Sequence, residues 1–210
     1  MMLTKQCTRH VIEEIIKLYP NVTSALNFNN PFELLIAVML SAQTTDRAVN
    51  GLTPKLFATY PTPEAMAKAT PEEVAPYIRT IGLYRNKSKY LVETAQKLVA
   101  EFNGEVPKTR KDLESLPGVG RKTANVVLSV GFGIPAFAVD THVTRIAKHH
   151  HIAEPDWTPR QIEDRVMECL PKEEWLPAHQ ALIYFGREIC HPRNPECHNY
   201  PQLYTCLEEE

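Results

Sequence analysis

Apolar positions recur along most of the chain at three- and four-residue spacing, and nowhere do they alternate convincingly in twos, so the pattern predicts an all-α protein. From Thr4 to Leu18 one face carries Val11, Ile15 and Leu18, while Glu13, Glu14 and Lys17 are left for solvent. Asn30-Pro31-Phe32-Glu33 reads as a helix start: a cap, a proline at the first helical position and a glutamate bonding back to the cap. The run Leu34 to Leu40 that follows is apolar on every side, which predicts a central helix. Polar Ser41 to Asp46 interrupts it, and Val49, Leu52, Leu56 and Phe57 resume a helical face from a start near Thr44.

Start signals recur at Thr62-Pro63-Glu64, Thr70-Pro71-Glu72-Glu73 and Thr158-Pro159-Arg160-Gln161, so many of the 17 prolines mark helix starts and not disorder. Ile81-Gly82-Leu83-Tyr84 is a tight break before a long amphipathic helix from about Asn86 to Phe102, closed by Asn103-Gly104. A short helix from Lys111 to Leu116 and a second from Thr123 to Val130 flank Pro117-Gly118-Val119-Gly120, a helix-hairpin-helix pattern. Asp140 stands as the cap of a helix through Val143, Ile146 and Ala147, and further helices run from about Gln161 to Cys169 and from Glu173 to Glu188. His149-His150-His151 reads as a solvated helix end, because three adjacent side chains cannot all face one metal.

A chain of 210 residues, 43% of them hydrophobic, can bury one large core or two smaller ones. No apolar run reaches the ~18 residues of a membrane span, and the N-terminus lacks a leader pattern, so the expected location is the cytoplasm. With a formal net charge of -2, a nucleic-acid partner must be held by a local basic face. Of the five cysteines, Cys190, Cys197 and Cys206 fall in the C-terminal stretch; in a reducing compartment that density suggests metal ligands and not disulfides.

The hairpin is the strongest chemical signal. Gly118 and Gly120 let the backbone turn sharply and bring bare N–H groups, and the start of the next helix, towards an anion such as a phosphate. Taken alone, a G-x-G is only a helix-connecting turn; between a short helix and Arg121-Lys122-Thr123 it reads as a phosphate grip, with Val119 between its two glycines. Lys122 lies in the first turn of that helix, where the macrodipole and neighbouring Arg121 both favour a neutral, nucleophilic amine. By itself Lys122 is equally a surface lysine and Asp140 an ordinary helix cap, but together they are a candidate catalytic pair.

Pro31 to Asp46 (PFELLIAVMLSAQTTD), Ile81 to Lys87 (IGLYRNK), Gly104 to Pro107 (GEVP), Leu116 to Val127 (LPGVGRKTANVV) and Ala138 to Val143 (AVDTHV) together resemble the endonuclease III family of bacterial helix-hairpin-helix DNA glycosylases with AP lyase activity. The resemblance runs over nearly the whole chain. It implies a two-domain all-α fold: a central helical barrel at 24–135 holding the hairpin at 109–131, and a second domain from 1–23 plus 136–210 with a cysteine-rich loop at 190–206, DNA lying in the cleft between them. It further implies removal of oxidised pyrimidines from double-stranded DNA, action at abasic sites, and a monomeric enzyme.

By that resemblance Lys122 is the nucleophile at C1′ of a damaged nucleoside and Asp140 its partner, stabilising positive charge on the sugar and assisting proton transfers. Gln43 corresponds to the residue that fills the hole left by a flipped nucleotide, and Leu83 to the wedge in the opposite strand. Read alone, Gln43 is a polar helix end and Leu83 a buried loop anchor. Gly118, Val119, Gly120 and Arg121 are expected to contact DNA, as are His142 and Arg145, with a structural histidine as the alternative at 142.

The same family has a C-x6-C-x2-C-x5-C motif that holds a [4Fe–4S] cluster with four thiolates. Here Cys190, Cys197 and Cys206 occupy three of its places and Tyr200 the remaining one. Three readings stay open. A weakened [4Fe–4S] cluster, with one iron on His198, His191, Tyr200 or water, is the one adopted; a Cys3His zinc site and a metal-free loop are the others. Cys169 is expected on a buried helix face.

Overall fold

The computed structural model describes residues 2–207, and among these there are helices and no strand. The chain divides into two compact units, one formed by Met1–Thr23 with Pro135–Glu210 and the other by Ser24–Ile134. Of the expected domain segments, residue 1 and residues 208–210 lie outside the described part. No helix of the described residues is long and apolar enough to cross a membrane.

The Ser24–Ile134 unit is built around α2 (Pro31–Leu40), every residue of which from Phe32 to Leu40 is buried. Its N-cap is Asn30, whose side chain accepts from the Glu33 amide at 2.9 Å. The expected return bond from Glu33 goes one residue further back: its Oε2 accepts from the backbone and side-chain nitrogens of Asn29, at 2.7 and 2.9 Å. The first-turn geometry is preserved, and the carboxylate is satisfied by two donors. Each fully buried leucine or isoleucine of this helix contributes roughly 1.5–3 kcal/mol of transfer free energy.

Against α2 pack α3 (Asp46–Thr59) and α6 (Tyr84–Phe102), with α4 (Pro63–Ala67) and α5 (Pro71–Ile78) held on α6, followed by the hairpin helices α7 (Arg110–Glu114) and α8 (Arg121–Val126), the latter also on α2. Threonine caps open four of them: Thr45, Thr62, Thr70 and Thr109 each accept from an amide in the first turn. The second hairpin helix does not stay α-helical to its end. It passes into a π-helical turn at Val127–Gly131, with Ser129 Oγ donating to the Asn125 carbonyl at 2.8 Å. That change of pitch leaves no signature in the apolar spacing.

The other unit packs α1 (Lys5–Leu18), α9 (Thr141–His149), α10 (Pro159–Cys169) and α11 (Trp175–Glu188) round Ile12, Ile15, Phe137, Ile146, Ile162 and Phe185. Helix α9 comes close to α11 because position 186 is glycine, where a Cβ would lie 3.0 Å from both the His142 Cβ and a guanidinium nitrogen of Arg145. Arg145 exploits that approach: Nη2 donates to the Gly186 carbonyl at 2.6 Å and Nε to the Cys190 carbonyl at 3.1 Å. Expected as a DNA contact, its guanidinium is engaged with backbone carbonyls inside this unit. Cys169 is buried on α10, as its place on the apolar face predicted.

Candidate active site

The hairpin is shaped by one glycine and held by side chains of α6 and α7. Gly118 has φ 75°, and a Cβ there would fall 2.9 Å from Cγ of Tyr90 on α6, so both conformation and space demand glycine. Val119 is buried and anchors the turn. Gly120 caps α8 without any side-chain oxygen, so no cap of its own competes for the amides of the first turn. Thr94 Oγ1 donates to the Pro117 carbonyl at 2.8 Å, Lys97 Nζ to the Ser115 carbonyl at 2.9 Å, and Arg110 Nε to buried Asn125 Oδ1 at 2.8 Å. Hairpin and α6 are thereby one braced body, with Arg121 and Lys122 in the first turn of α8 and partly exposed.

Gln43 and Leu83, in the same unit, share an unusual backbone. Both are non-glycine residues in the left-handed region, with φ 55° and φ 58°. Such a conformation costs roughly 1–2 kcal/mol for an ordinary side chain, and residues held in it against that cost concentrate at functional sites. Leu83 is also 57% exposed, which removes the reading of a buried loop anchor. Gln43 lies beyond the end of α2, whose C-cap is Ser41, so it is not a helix terminus either.

The side chain that ties these two places together is Lys87. It is only 7% exposed, and its Nζ donates to the carbonyls of Leu40 and Ala42 and to Thr44 Oγ1. One turn earlier on the same helix, Leu83 forms the left-handed cap, so Lys87 fixes the loop bearing Gln43 to the helix headed by Leu83. A lysine followed by serine and preceded by Tyr84-Arg85-Asn86 looks like a solvent-facing position; only the fold shows it turned inward.

In the other unit Asp140 caps α9. Its Oδ1 accepts from the Val143 amide at 2.9 Å, and Oδ2 pairs with His142 Nδ1 at 3.0 Å. Burial by itself would raise its pKa, but the bonds from His142 and Val143 and the nearby His179 outweigh it and hold the carboxyl well below the usual carboxylate range. Asp140 is therefore favoured in its ionised form. His142, one of the expected DNA contacts, is spent in part on this carboxylate.

The C-terminal cysteines are arranged differently from the motif. Ligand atoms of His149, His150, Cys190 and Cys197 lie within 4.8 Å of one another. Cys206 is outside that group and lines a surface hollow with Gln6, Arg9, His10, Glu13 and Thr205. Tyr200 packs edge-on against Phe185, and His191 and His198 are also outside the group. His150, expected at a solvated helix end, is buried to 1% exposure, because it is the C-cap of α9 and tucks between Phe185 and Tyr204. Burial first, then the charges of His149 and His151, push His150 down to about 4, and burial with the adjacent Cys190 thiol pushes Cys197 up to about 12. A [4Fe–4S] cubane asks for four thiolates, each on its own iron. Two thiols converging with two imidazoles do not fit that demand.

Residues 36–172 match the family described as HhH-GPD superfamily base excision DNA repair protein. Endonuclease III of Bacillus subtilis (strain 168) is 43% identical over 99% of this chain and 94% of its own length, and that of Escherichia coli (strain K12) is 48% identical over 85% of this chain and 84% of its own. A solved structure of a trapped endonuclease III–DNA covalent intermediate superposes with a TM-score of 0.92 at 47% identity, covering 96% of this chain and 94% of that one. Its homologues are bifunctional DNA glycosylase/AP lyases that usually carry a [4Fe–4S] cluster. With that likeness extending over almost its full length, the chain belongs to the endonuclease III family of base-excision DNA repair enzymes.

Proposed function

We propose that the enzyme removes oxidised pyrimidines, such as thymine glycol, from double-stranded DNA and then cleaves the strand at the resulting abasic site, with Lys122 as nucleophile and Asp140 as its carboxylate partner. The observation that supports this most directly is a partly exposed lysine in the first turn of α8, two residues after a glycine cap with no side-chain acceptor. The Lys122 amine attacks C1′, the C1′–N bond breaks and the base leaves with a proton. The ring opens as its oxygen leaves C1′ and takes up a proton, giving a protonated Schiff base. A proton is then lost from C2′ and the 3′ phosphate leaves as the C3′–O bond breaks, which cuts the strand on the 3′ side, and water hydrolyses the Schiff base to free Lys122. The ionised Asp140 carboxylate stabilises positive charge as it develops on the sugar.

DNA is held, in this reading, by the backbone of Gly118, Val119 and Gly120 with Arg121, which serve a phosphate, while Gln43 and Leu83 occupy the space left in the duplex by the flipped nucleotide. The left-handed backbone at both inserting positions supports it. His142 orients Asp140 and contributes to the DNA face from there. The enzyme acts as a monomer in the cytoplasm, and no chemical step passes through a metal. Incubation with a thymine-glycol duplex and borohydride should trap a covalent protein–DNA adduct that Lys122→Ala abolishes; equal adduct yields from the two proteins would overturn this assignment.

A further inference from the structure

We propose that His149, His150, Cys190 and Cys197 form a mononuclear Cys2His2 zinc site that takes the place of an iron–sulfur cluster in this chain. The geometry is assembled by two anchored segments. Helix α9 ends at His149, and His150 follows as its C-cap with φ -94° and ψ 16°, so the chain leaves helical geometry between two neighbouring side chains. That departure allows adjacent histidines to approach one point; their rings lie 5.1 Å apart at 79°. His151, with φ 57°, leads the chain away. On the other side, Cys190 N donates to the Phe185 carbonyl at 2.8 Å and Glu196 N to the Ile189 carbonyl at 2.9 Å, closing the loop that brings Cys197 back beside Cys190. Arg145 then fastens the Cys190 carbonyl to α9.

Four donor atoms within 4.8 Å of one another are close to what one tetrahedral ion needs. Ligands at ~2.0–2.3 Å from zinc stand about 3.3–3.8 Å apart, so small side-chain rotations complete the site. An independent observation points to a ligand. The Nε2 of His150 is buried and has no hydrogen-bond partner among the described residues, while its Nδ1 lies 2.8 Å from the Tyr204 hydroxyl. A buried ring nitrogen left bare in this way is destabilising, because it has given up water without gaining a partner. Coordination through Nε2 satisfies it and defines the tautomer: Nδ1–H donates to Tyr204 Oη, the outer contact that metal-bound histidines characteristically make.

Donor chemistry selects the ion. Two thiolates and two imidazoles match zinc, and the two thiolate charges cancel that of Zn2+, so a neutral complex is buried. A Rieske-type [2Fe–2S] cluster uses the same four donors, but there the histidine pair and the cysteine pair sit on different irons. Here sulfur and nitrogen atoms converge together. Cys206, two residues beyond Tyr204 and on the hollow lined by Arg9 and His10, lies outside the group. The zinc would fasten the end of α9, the loop after α11 and, through Tyr204, the C-terminal 3-10 segment Pro201–Leu207.

The test is metal and sulfide analysis of reduced protein purified without added metal, followed by cobalt substitution and a chelator competition. The expectation is about one zinc per chain, no labile sulfide, and visible absorption of tetrahedral, sulfur-ligated cobalt. Cys190→Ser and Cys197→Ser should lose the metal. Because a buried variant could fail to fold, exposed His149→Asn is the companion: it should weaken zinc binding by about tenfold or more, whereas Cys206→Ser should bind as the parent does. Iron with sulfide, a Cys190–Cys197 disulfide in the reduced protein, failure to take up added zinc, or zinc that depends on Cys206 and not on the histidines would each overturn the proposal. Borohydride trapping by the same preparations reads Lys122 chemistry separately, so failure of the metal site leaves that assignment untouched.

Discussion

Lys87 donates its buried ammonium to the carbonyl of Ala42 at 2.7 Å. Further bonds to the Leu40 carbonyl at 2.9 Å and Thr44 Oγ1 at 3.0 Å mean that one side chain from α6 organises the whole turn beyond α2. No carboxylate is among these acceptors, so the charge is held by dipoles, and its desolvation lowers the lysine's pKa. Lys87→Met keeps the length and removes every donor, stranding three acceptors. It should cost about 2–4 kcal/mol in denaturant unfolding and weaken binding to a thymine-glycol duplex. Unchanged stability would show that the turn does not depend on this lysine.

Gly118→Ala should harm the hairpin for two separable reasons, the left-handed φ and the 2.9 Å approach to Cγ of Tyr90. The root of a ring cannot swing aside as a flexible chain end does, so the backbone must move. The expected loss is about 1–3 kcal/mol together with weaker DNA binding. Adding Tyr90→Ala should recover the steric part and leave the conformational part, giving a non-additive double-mutant cycle.

Leu83→Asn separates stability from function. Asparagine tolerates the left-handed conformation better than leucine, and the leucine is already 57% exposed, so unfolding free energy should stay level or rise by up to about 1 kcal/mol. Affinity for lesion-containing duplex should nonetheless fall, measured by titration at one fixed salt concentration. Equal affinities would deny Leu83 any wedge role.

Asp140→Asn keeps a good N-cap and deletes the charge, whereas Asp140→Ala deletes both. Because one amide oxygen cannot accept from both the Val143 amide and His142, the first should cost about 1–3 kcal/mol and the second at least as much. Trapping rates should fall by about 10²–10⁴ in either, as expected for loss of a group that acts on the reacting sugar. The pH behaviour follows from the sign of the shift. A carboxyl depressed on folding contributes stability above its unfolded value, near 3.9, and loses it only as pH falls through the lower folded value. The part of the parent's advantage over Asp140→Asn that the carboxyl carries should therefore fall away only below about pH 4; an advantage already absent at about pH 5 would mean that the carboxyl is not held ionised.

How much could be read from the residues alone divides along a physical line. Helix starts were legible where capping is local: Asn30, Thr62, Thr70 and Thr158 each bond an amide three residues on, within reach of a sequence window, whereas the start expected near Thr44 has Thr45 as its cap and the cap Thr109 of the first hairpin helix was not singled out. The all-apolar run of α2 announced its burial for the same reason. Gly118, Gly120, Lys122 and Asp140 stood out because glycine, lysine and aspartate at those spacings have few uses. The π-turn after α8, the inward lysine at 87 and the left-handed backbone at Gln43 and Leu83 did not, since each depends on partners distant in sequence.

By itself, then, the sequence determined the helical class, the helix starts, the hairpin and the chemical kinds of residue available, because these follow from periodicity, capping and side-chain chemistry over a few residues. Only the tertiary structure decided which side chains meet. It joined Lys87 to the Ala42 turn across 45 residues, turned Arg145 onto the Gly186 and Cys190 carbonyls, and set His149 and His150 beside Cys190 and Cys197 while Cys206 went elsewhere. Those encounters are fixed by how whole helices pack, and packing is a property of the entire chain and not of any window along it.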